Sequence, residues 1–234
     1  MKTKFLLKAL VTTLFFSAVL FLSAGRMDYT PGYIFLGTTL FTAFMNFWAI
    51  RNDPDLMTER SKVGSDAKSW DKMILGLSGI IYLISIVLAG LDAGRFQWSP
   101  NFHWILYAAG IILSISGQVI FLTARKENKF FSSVVRVQTD RGHTVCDTGI
   151  YKLVRHPGYL GMSISLIAVP LLTGSVWSII PIVVAVVLLF VRTYLEDEML
   201  KKELPGYTDY ATRTRQRLIP KIWQLVRSKV NCEM

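Results

Sequence analysis

Apolar residues are gathered in six long stretches, which are separated by short polar segments. The stretches occupy residues 5–24, 31–50, 73–91, 102–124, 158–173 and 176–194. A helix of roughly 20 apolar residues crosses a bilayer core of about 30 Å. The pattern therefore predicts an all-α integral membrane protein with about six transmembrane helices.

The last two stretches are predicted to form a tight antiparallel helical hairpin, because only Gly174 and Ser175 separate them. Each stretch contains a proline, Pro170 in the fifth and Pro181 in the sixth. Proline is tolerated within membrane helices, since neighbouring helices can satisfy the backbone carbonyl that it leaves unpaired. The hairpin places the start of the fifth helix beside the end of the sixth.

Composition agrees with a membrane protein. Of the 234 residues, 52% are hydrophobic and 18% are charged, and the mean hydropathy is +0.40. A soluble domain carries about a quarter charged residues. These values exclude an ordinary soluble enzyme and a disordered chain.

The net charge is +10, and the distribution of its basic residues indicates how the chain is oriented in the membrane. With the N-terminus inside, 24 of the 26 Lys and Arg residues fall on one side, and Arg26 and Arg95 fall on the other. Because basic loops stay in the cytoplasm, both termini and the basic loops are predicted to be cytoplasmic. No basic patch remains for nucleic acid. The first stretch also resembles a secretory signal, but its length favours a retained helix.

The polar segments suggest a division after residue 124. Residues 1–124 contain four predicted spans, and residues 125–234 contain a polar loop, the hairpin and a cytoplasmic tail. Segment 51–72 mixes charges of both signs, which is typical of a solvated connector, and segment 130–137 favours an extended chain. The tail alternates basic residues with apolar ones such as Ile219 and Trp223, which predicts an anchor on anionic lipid.

Residues able to do chemistry are concentrated just before the hairpin. Segment 143–161 contains two histidines, two tyrosines and an arginine: His143, His156, Tyr151, Tyr159 and Arg155. Arg155 and Tyr159 can also be read as anchors at the membrane interface, and Pro157 as an ordinary helix start. A functional site and a structural loop remain equally open on these residues alone.

A second group stands at the cytoplasmic end of the sixth stretch: Arg192, Glu196, Asp197 and Glu198. Arg192 and Glu196 are four residues apart, so they share one face of a helix and could form a weak surface ion pair. Ionisable residues at the edge of an apolar run also mark functional sites. The hairpin brings both groups together on the cytoplasmic side.

Together, the two groups suit an adenosine cofactor. Aromatic rings can stack on the base, carboxylate oxygens can accept from ribose hydroxyls, and a helix N-terminus offers amide donors to an anion. Cys146 and Cys232 lie in predicted cytoplasmic segments, where disulfides are rare. Neither the cysteines nor the three histidines have metal-ligand spacing, so no metal site is predicted.

At these residues the chain resembles the isoprenylcysteine carboxyl methyltransferase family, which is related to the phospholipid N-methyltransferases. The matching pattern runs from Gly-x-Tyr at 149–151 through Arg-His-Pro-x-Tyr-x-Gly at 155–161 to Arg-x-x-x-Glu-Asp at 192–197 and Tyr-x-x-Tyr at 207–210. The resemblance covers roughly residues 125–220. It implies a membrane enzyme that uses S-adenosyl-L-methionine, with residues 125–234 as the methyltransferase core.

The resemblance also implies residue roles. Glu196 would hold the cofactor and Arg192 would face the reacting group of the acceptor, so these two are the expected catalytic residues. The other expected cofactor-binding residues are His143, Thr144, Val145, Cys146, Tyr151, His156, Pro157, Gly158 and Tyr159. Arg136 stands where relatives have a glutamine, Asp197 replaces a second glutamate, and Leu204-Pro205-Gly206 replaces a phenylalanine-glycine pair.

Several alternatives remain open at this stage. The acceptor can be a prenylated cysteine carboxylate, a phospholipid amine or a small hydrophobic thiol. A carboxylate needs no general base, and besides Glu196 and the histidines no base stands out. A non-catalytic assembly protein on the same scaffold would have no cofactor. A small transporter is less favoured, because no span interior contains an obvious ion pair.

Overall fold

The computed structural model describes residues 2–52 and 67–219, and all of its regular secondary structure is helical. The residues in these two ranges form seven α-helices: α1 (Lys2–Ala24), α2 (Thr30–Ile50), α3 (Ser69–Ala89), α4 (Trp104–Glu127), α5 (Pro157–Thr173), α6 (Ile179–Glu203) and α7 (Tyr207–Arg213). The predicted all-α membrane fold is confirmed. The predicted lipid anchor around Trp223 and the residue Cys232 lie outside the described residues.

Within the described parts of the chain, five helices are long and apolar enough to cross a membrane, namely α1, α2, α3, α4 and α6. The remaining predicted span, α5, is apolar but has only 17 residues. Many large apolar side chains on these helices are exposed, for example Leu7, Phe41 and Val183. Such outward-facing apolar surface is what lipid contact requires, and the chain is a multi-pass membrane protein.

The predicted hairpin is present, with a longer connection than expected. Gly174 ends α5 in the left-handed conformation (φ 69°), which glycine adopts without a steric penalty. The sixth helix begins at Ile179 rather than at residue 176. The reason is Asp92, whose carboxylate accepts hydrogen bonds from Ser175 Oγ (2.6 Å) and from the amide of Trp177 (3.2 Å). These bonds hold the connection in a non-helical conformation.

Asp92 lies in a π-helix, Gly90–Phe96, that continues α3 beyond its predicted end at residue 91. Its carboxylate is fully buried and also accepts from the amide (2.8 Å) and hydroxyl (2.6 Å) of Ser99. Among the described residues, these donors to the carboxylate are neutral amides and hydroxyls. Asp92 thereby attaches the α5–α6 connection to the end of α3.

Helices α4 and α5 pack backbone to backbone through two glycines. A Cβ atom added to Gly161 would lie 2.5 Å from the carbonyl oxygen of Gly117 and 2.7 Å from the amide nitrogen of Phe121. Small residues permit this close approach, which is the usual basis of helix association in membranes. Gly161, the last residue of the Arg-His-Pro-x-Tyr-x-Gly motif, therefore sets the position of α5 against α4.

Gly161→Ala is expected to lower the free energy of unfolding by about 1–3 kcal/mol, because the new methyl group meets backbone atoms that cannot rotate away. Thermal unfolding in detergent measures this. Gly76→Ala is the matched control, since an added Cβ there has no neighbour within 4 Å. Equal unfolding temperatures for the two variants would contradict the close packing.

Candidate functional site

A cleft opens at the end of the bundle where α4 ends, α5 begins and α6 ends. We call it the polar cleft. Its walls come from the 128–146 segment, from residues 151–159, from Glu196 and from the start of α7. Its lining includes Phe130, Phe131, Ser132, His143, Tyr151, Tyr159 and Glu196. The two groups of residues noted in the sequence therefore meet at one place.

Tyr159 and Glu196 are in direct contact across the polar cleft. The phenol of Tyr159 donates a hydrogen bond to Oε2 of Glu196. The ring of His156 stacks on that of Tyr159, with centroids 5.8 Å apart and planes inclined by 20°. The contact joins the first turn of α5 to α6, so the hairpin brings these residues together as the sequence predicted.

Asp197, next to Glu196 on α6, is the centre of a buried ion cluster. Its carboxylate is fully buried and receives both Nε (2.7 Å) and Nη2 (2.9 Å) of Arg155. Arg217 Nε donates to it at 2.8 Å, and the phenol of Tyr207 at 2.9 Å. Lys201 lies 3.1 Å away. Several cations and a neutral donor thus offset the cost of burying this charge.

The cluster fixes the loop that precedes α5. The backbone amides of Arg155 and His156 donate to the carbonyls of Gln216 and Arg217, each at 2.9 Å. Arg155 also donates to the carbonyl of Thr214 at 2.7 Å. The reading of Arg155 as an interface anchor is wrong, because its side chain is only 5% exposed and is bound on all sides.

The loop residues at the far wall are held in neutral form. His143 Nδ1 accepts from the amide of Gln138 (3.2 Å), and its ring lies against Phe130, with centroids 4.4 Å apart. Burial, together with the positive charges of Arg136 and Arg141, lowers the pKa of His143 to about 4. Burial raises the pKa of the Cys146 thiol. A positively charged ligand would meet no cation at these two residues.

Tyr151 closes the floor of the polar cleft. Its phenol donates to the carbonyl of Ala124 at 3.2 Å, and burial raises its pKa. Tyr210 donates in turn to the carbonyl of Tyr151 at 2.7 Å. Tyr151 lies in the short 3-10 helix Gly149–Lys152. The 128–138 segment contains no strand, and its chain is irregular.

A second cavity, of about 550 Å³, lies among α3, α4, α5 and α6, and we call it the membrane cavity. Most of its walls are apolar, including Leu75, Leu166 and Val169. Arg192 lies at its end nearest the polar cleft, where its guanidinium lies 5.1 Å from the ring centroid of Tyr159. The apolar walls of this cavity suit apolar ligands, whereas the polar cleft suits polar ones.

Arg192 does not pair with Glu196 on its own helix. Its Nε donates to Oδ1 of Asp71 at 2.7 Å, and its Nη2 donates to the carbonyl of Ser133 at 3.1 Å. Asp71 is fully buried, so the reading of segment 51–72 as a solvated connector is wrong at this residue. A buried guanidinium needs a buried carboxylate close by. This ion pair also removes the sequence argument against a transporter.

The two cavities share a wall. Phe131, Ser132 and Tyr159 line both of them. Gly158 permits this arrangement, since a Cβ atom there would lie 2.8 Å from the ring of Phe131. A molecule in one cavity can therefore approach a molecule in the other across these three side chains.

Most of the expected cofactor residues line the polar cleft, namely His143, Val145, Cys146, Tyr151, His156, Gly158, Tyr159 and Glu196. Thr144 does not, because it is exposed. Pro157 is buried at the start of α5 and does not line the cleft either. Arg192 lines the membrane cavity instead.

Sequence reasoning missed several lining residues. Phe130, Phe131 and Ser132 fall in the segment predicted to be extended, and Asp71, the buried partner of Arg192, falls in the predicted connector. Their mixed aromatic and polar character gave no periodic signal. Among the described residues, no group of three or more His, Cys, Asp or Glu side chains could hold a metal ion.

Comparison with known proteins identifies a matching family model and several similar proteins. The sequence model of the phospholipid methyltransferase family matches residues 105–205. A probable protein-S-isoprenylcysteine O-methyltransferase from Oryza sativa subsp. indica is 24% identical over 119 residues, which cover 50% of this chain and 62% of the rice protein. Protein-S-isoprenylcysteine O-methyltransferase B from Arabidopsis thaliana is 25% identical over 114 residues, which cover 47% of this chain and 58% of the Arabidopsis protein.

A third relative has a different name. The nickel-cobalt-cadmium resistance protein NccN of Alcaligenes xylosoxydans xylosoxydans is 24% identical over 144 residues, which cover 56% of this chain and 59% of that protein. The matched segments thus span about three fifths of these relatives. The resemblance to the isoprenylcysteine methyltransferases, a family related to the phospholipid methyltransferases, is confirmed.

Asp197→Asn is expected to destabilise the protein by about 3 kcal/mol, because it leaves Arg155 without its buried counter-charge. Equilibrium unfolding of the purified protein measures the change. Glu198→Gln is the matched control on the next residue: its carboxylate is about one third exposed and makes surface ion pairs, so a change below about 1 kcal/mol is expected. A similar small effect for both variants would contradict the role of Asp197.

Proposed function

We propose that this chain, which is similar to isoprenylcysteine methyltransferases and matches the phospholipid methyltransferase family model over residues 105–205, is a membrane-embedded methyltransferase that uses S-adenosyl-L-methionine and a lipophilic acceptor. One observation carries the proposal: the polar cleft and the membrane cavity share Phe131, Ser132 and Tyr159 as a common wall. A water-soluble donor and a lipid-soluble acceptor need two such cavities that meet at one point. Methyl transfer is mainly a problem of alignment and desolvation.

The polar cleft contains the kinds of side chain that S-adenosyl-L-methionine needs for binding. Glu196 is half-buried and can accept from ribose hydroxyls or from the amino group, while Tyr151 and Phe130 offer aromatic surface for the base. When bound, the cofactor supplies a methyl carbon attached to a positively charged sulfur. Aromatic faces and a carboxylate attract such a cation. His143, held neutral, does not oppose it.

Arg192 is proposed to orient the acceptor from the membrane cavity. Asp71 and Ser133 accept from Nε and Nη2 of its guanidinium, and Nη1 donates to none of the described residues. Nη1 is therefore suited to an oxygen of the acceptor, for instance a carboxylate of the isoprenylcysteine type. A carboxylate needs no general base. A phospholipid amine or a small thiol would have to be deprotonated or arrive neutral.

The proposed active site faces the cytoplasm, where the cofactor is dissolved. The loops at the polar cleft and the tail carry most of the basic residues, and the far side has Arg26 and Arg95. This distribution supports cytoplasmic termini. The methyltransferase core would be residues 125–234, with the four preceding spans supporting it and lining part of the membrane cavity.

Glu196→Gln is expected to weaken binding of S-adenosyl-L-methionine at least tenfold, because it removes the charge that accepts from the cofactor. Calorimetry on the detergent-purified protein measures the dissociation constant. Glu203→Gln, an exposed glutamate on the same helix that pairs with Lys68, should bind like the wild type. If the wild-type protein binds neither the cofactor nor its homocysteine product, the proposed activity is excluded.

The double variant Arg192→Gln/Asp71→Asn is expected to keep cofactor binding within about threefold and to lose methyl transfer. Removing both charges avoids leaving one of them buried and unpaired. Turnover is measured as labelled product from membranes supplied with methyl-labelled cofactor and analysed for lipids. Equal loss of binding and turnover would contradict the separate role of Arg192. Wild-type membranes without labelled product would favour a non-catalytic assembly protein.

A further inference from the structure

The membrane cavity contains a buried donor that the proposed reaction does not use. Gln118 of α4 lines this cavity, and its Nε2 has no hydrogen-bond partner among the described residues. Nearly all buried polar groups in proteins are hydrogen-bonded, so an exception calls for a physical reason. For an amide nitrogen that lines a cavity, that reason is a hydrogen-bond acceptor on the ligand that the cavity binds.

The position of Gln118 defines where on the ligand that partner would be. Its neighbour Gly117 packs against Gly161 and Ser165, which follow Tyr159 by two and six residues on α5. At 1.5 Å per residue, Gln118 is level with a point roughly 3–9 Å beyond Tyr159, away from the polar cleft. This depth is where the body of an acceptor would lie if its reacting end were at Tyr159 and Arg192.

Ser78 and Ser165, whose side chains are uncharged, also line the membrane cavity, on helices α3 and α5. One amide and two hydroxyls suit a neutral oxygen rather than a charge. Its surroundings, with Leu166 and Val169 further along α5, are apolar.

We infer that Gln118 is a specificity-determining residue that reads a neutral oxygen, such as a carbonyl, in the body of the lipophilic acceptor. The inference rests on the proposed function for the direction in which the acceptor lies. It narrows the acceptor class, because an unbroken isoprenyl hydrocarbon offers no hydrogen-bond acceptor to Nε2. An isoprenyl ligand would leave the amide of Gln118 buried without a hydrogen-bond partner, which is unfavourable.

The stability of the ligand-free protein gives a first readout. Gln118→Leu keeps the side-chain size and removes the unpaired donor, so the unfolding temperature is expected to stay the same or rise. Gln138→Leu is the control, because the Gln138 amide donates to the carbonyl of Phe130 at 2.6 Å and its oxygen accepts from Arg141 at 2.7 Å. That variant is expected to unfold at a lower temperature. An equal decrease for Gln118→Leu would overturn the inference, since the amide would then have a structural partner.

Ligand selectivity gives the second readout. The probes are hexadecanoate and 6-oxohexadecanoate, which differ only in a ketone along the chain. Wild-type protein in detergent is expected to bind the ketone probe at least tenfold more tightly, and Gln118→Leu is expected to bind both equally. The double comparison cancels differences in how the probes partition into micelles.

Three results would overturn the inference: equal binding of both probes by the wild type, a ketone preference that survives in Gln118→Leu, or no binding of either probe. Equal binding of both probes by the wild type is also expected if a water molecule accepts the hydrogen bond from Nε2 of Gln118. None of them bears on cofactor affinity, so a wild-type protein that binds S-adenosyl-L-methionine would keep the proposed function while losing this assignment. Conversely, a selective membrane cavity without cofactor binding would leave Gln118 assigned and exclude the methyltransferase.

Discussion

The site depends on the burial of one carboxylate, that of Asp197. Its ion pairs with Arg155 and Arg217 tie α6 to the loop before α5 and to the chain after α7. Because residues 196 and 197 are adjacent on one helix, they point in different directions. Fixing Asp197 in the cluster turns Glu196 toward the polar cleft, where it meets Tyr159. Arg155 of the motif therefore positions the loop before α5, and Tyr159 of the same motif meets Glu196 in the polar cleft.

A second constraint sets the distance between the cavities. The glycine contact between α4 and α5 brings the first turns of α5 close to α4, so that Tyr159 lies at the boundary of both cavities. On one side are aromatic rings and a carboxylate, and on the other an apolar space ending at the Arg192–Asp71 ion pair. The charges of Arg192 and Asp71 cancel, so the pair has no net charge. Its dipole nevertheless has a fixed orientation, which acts strongly in a low-dielectric setting. Such a boundary suits transfer between a polar donor and a lipid.

Hydrophobic length and turn residues predicted the helices well, because burial in lipid acts on whole segments. The hairpin at Gly174, the start of α5 at Pro157 and the meeting of Tyr159 with Glu196 all follow from local patterns. The Arg192–Asp71 pair could not be predicted, since 121 residues separate its members and Asp71 stands in a polar segment. The burial of Arg155 was missed for the same reason: its partners come from α6 and the tail. Gln118 gave no signal inside an apolar span.

Cross-linking of the methyl donor in membranes tests most directly whether the donor lies beside Tyr159 at the shared wall. Ultraviolet irradiation of membranes with methyl-labelled S-adenosyl-L-methionine, followed by peptide mapping, locates the attached label. Label within residues 130–134 or 156–160, lost in the presence of excess S-adenosylhomocysteine, is the expected result. Label confined to residues 1–124, or label that the homocysteine product does not displace, would contradict a cofactor site at the polar cleft.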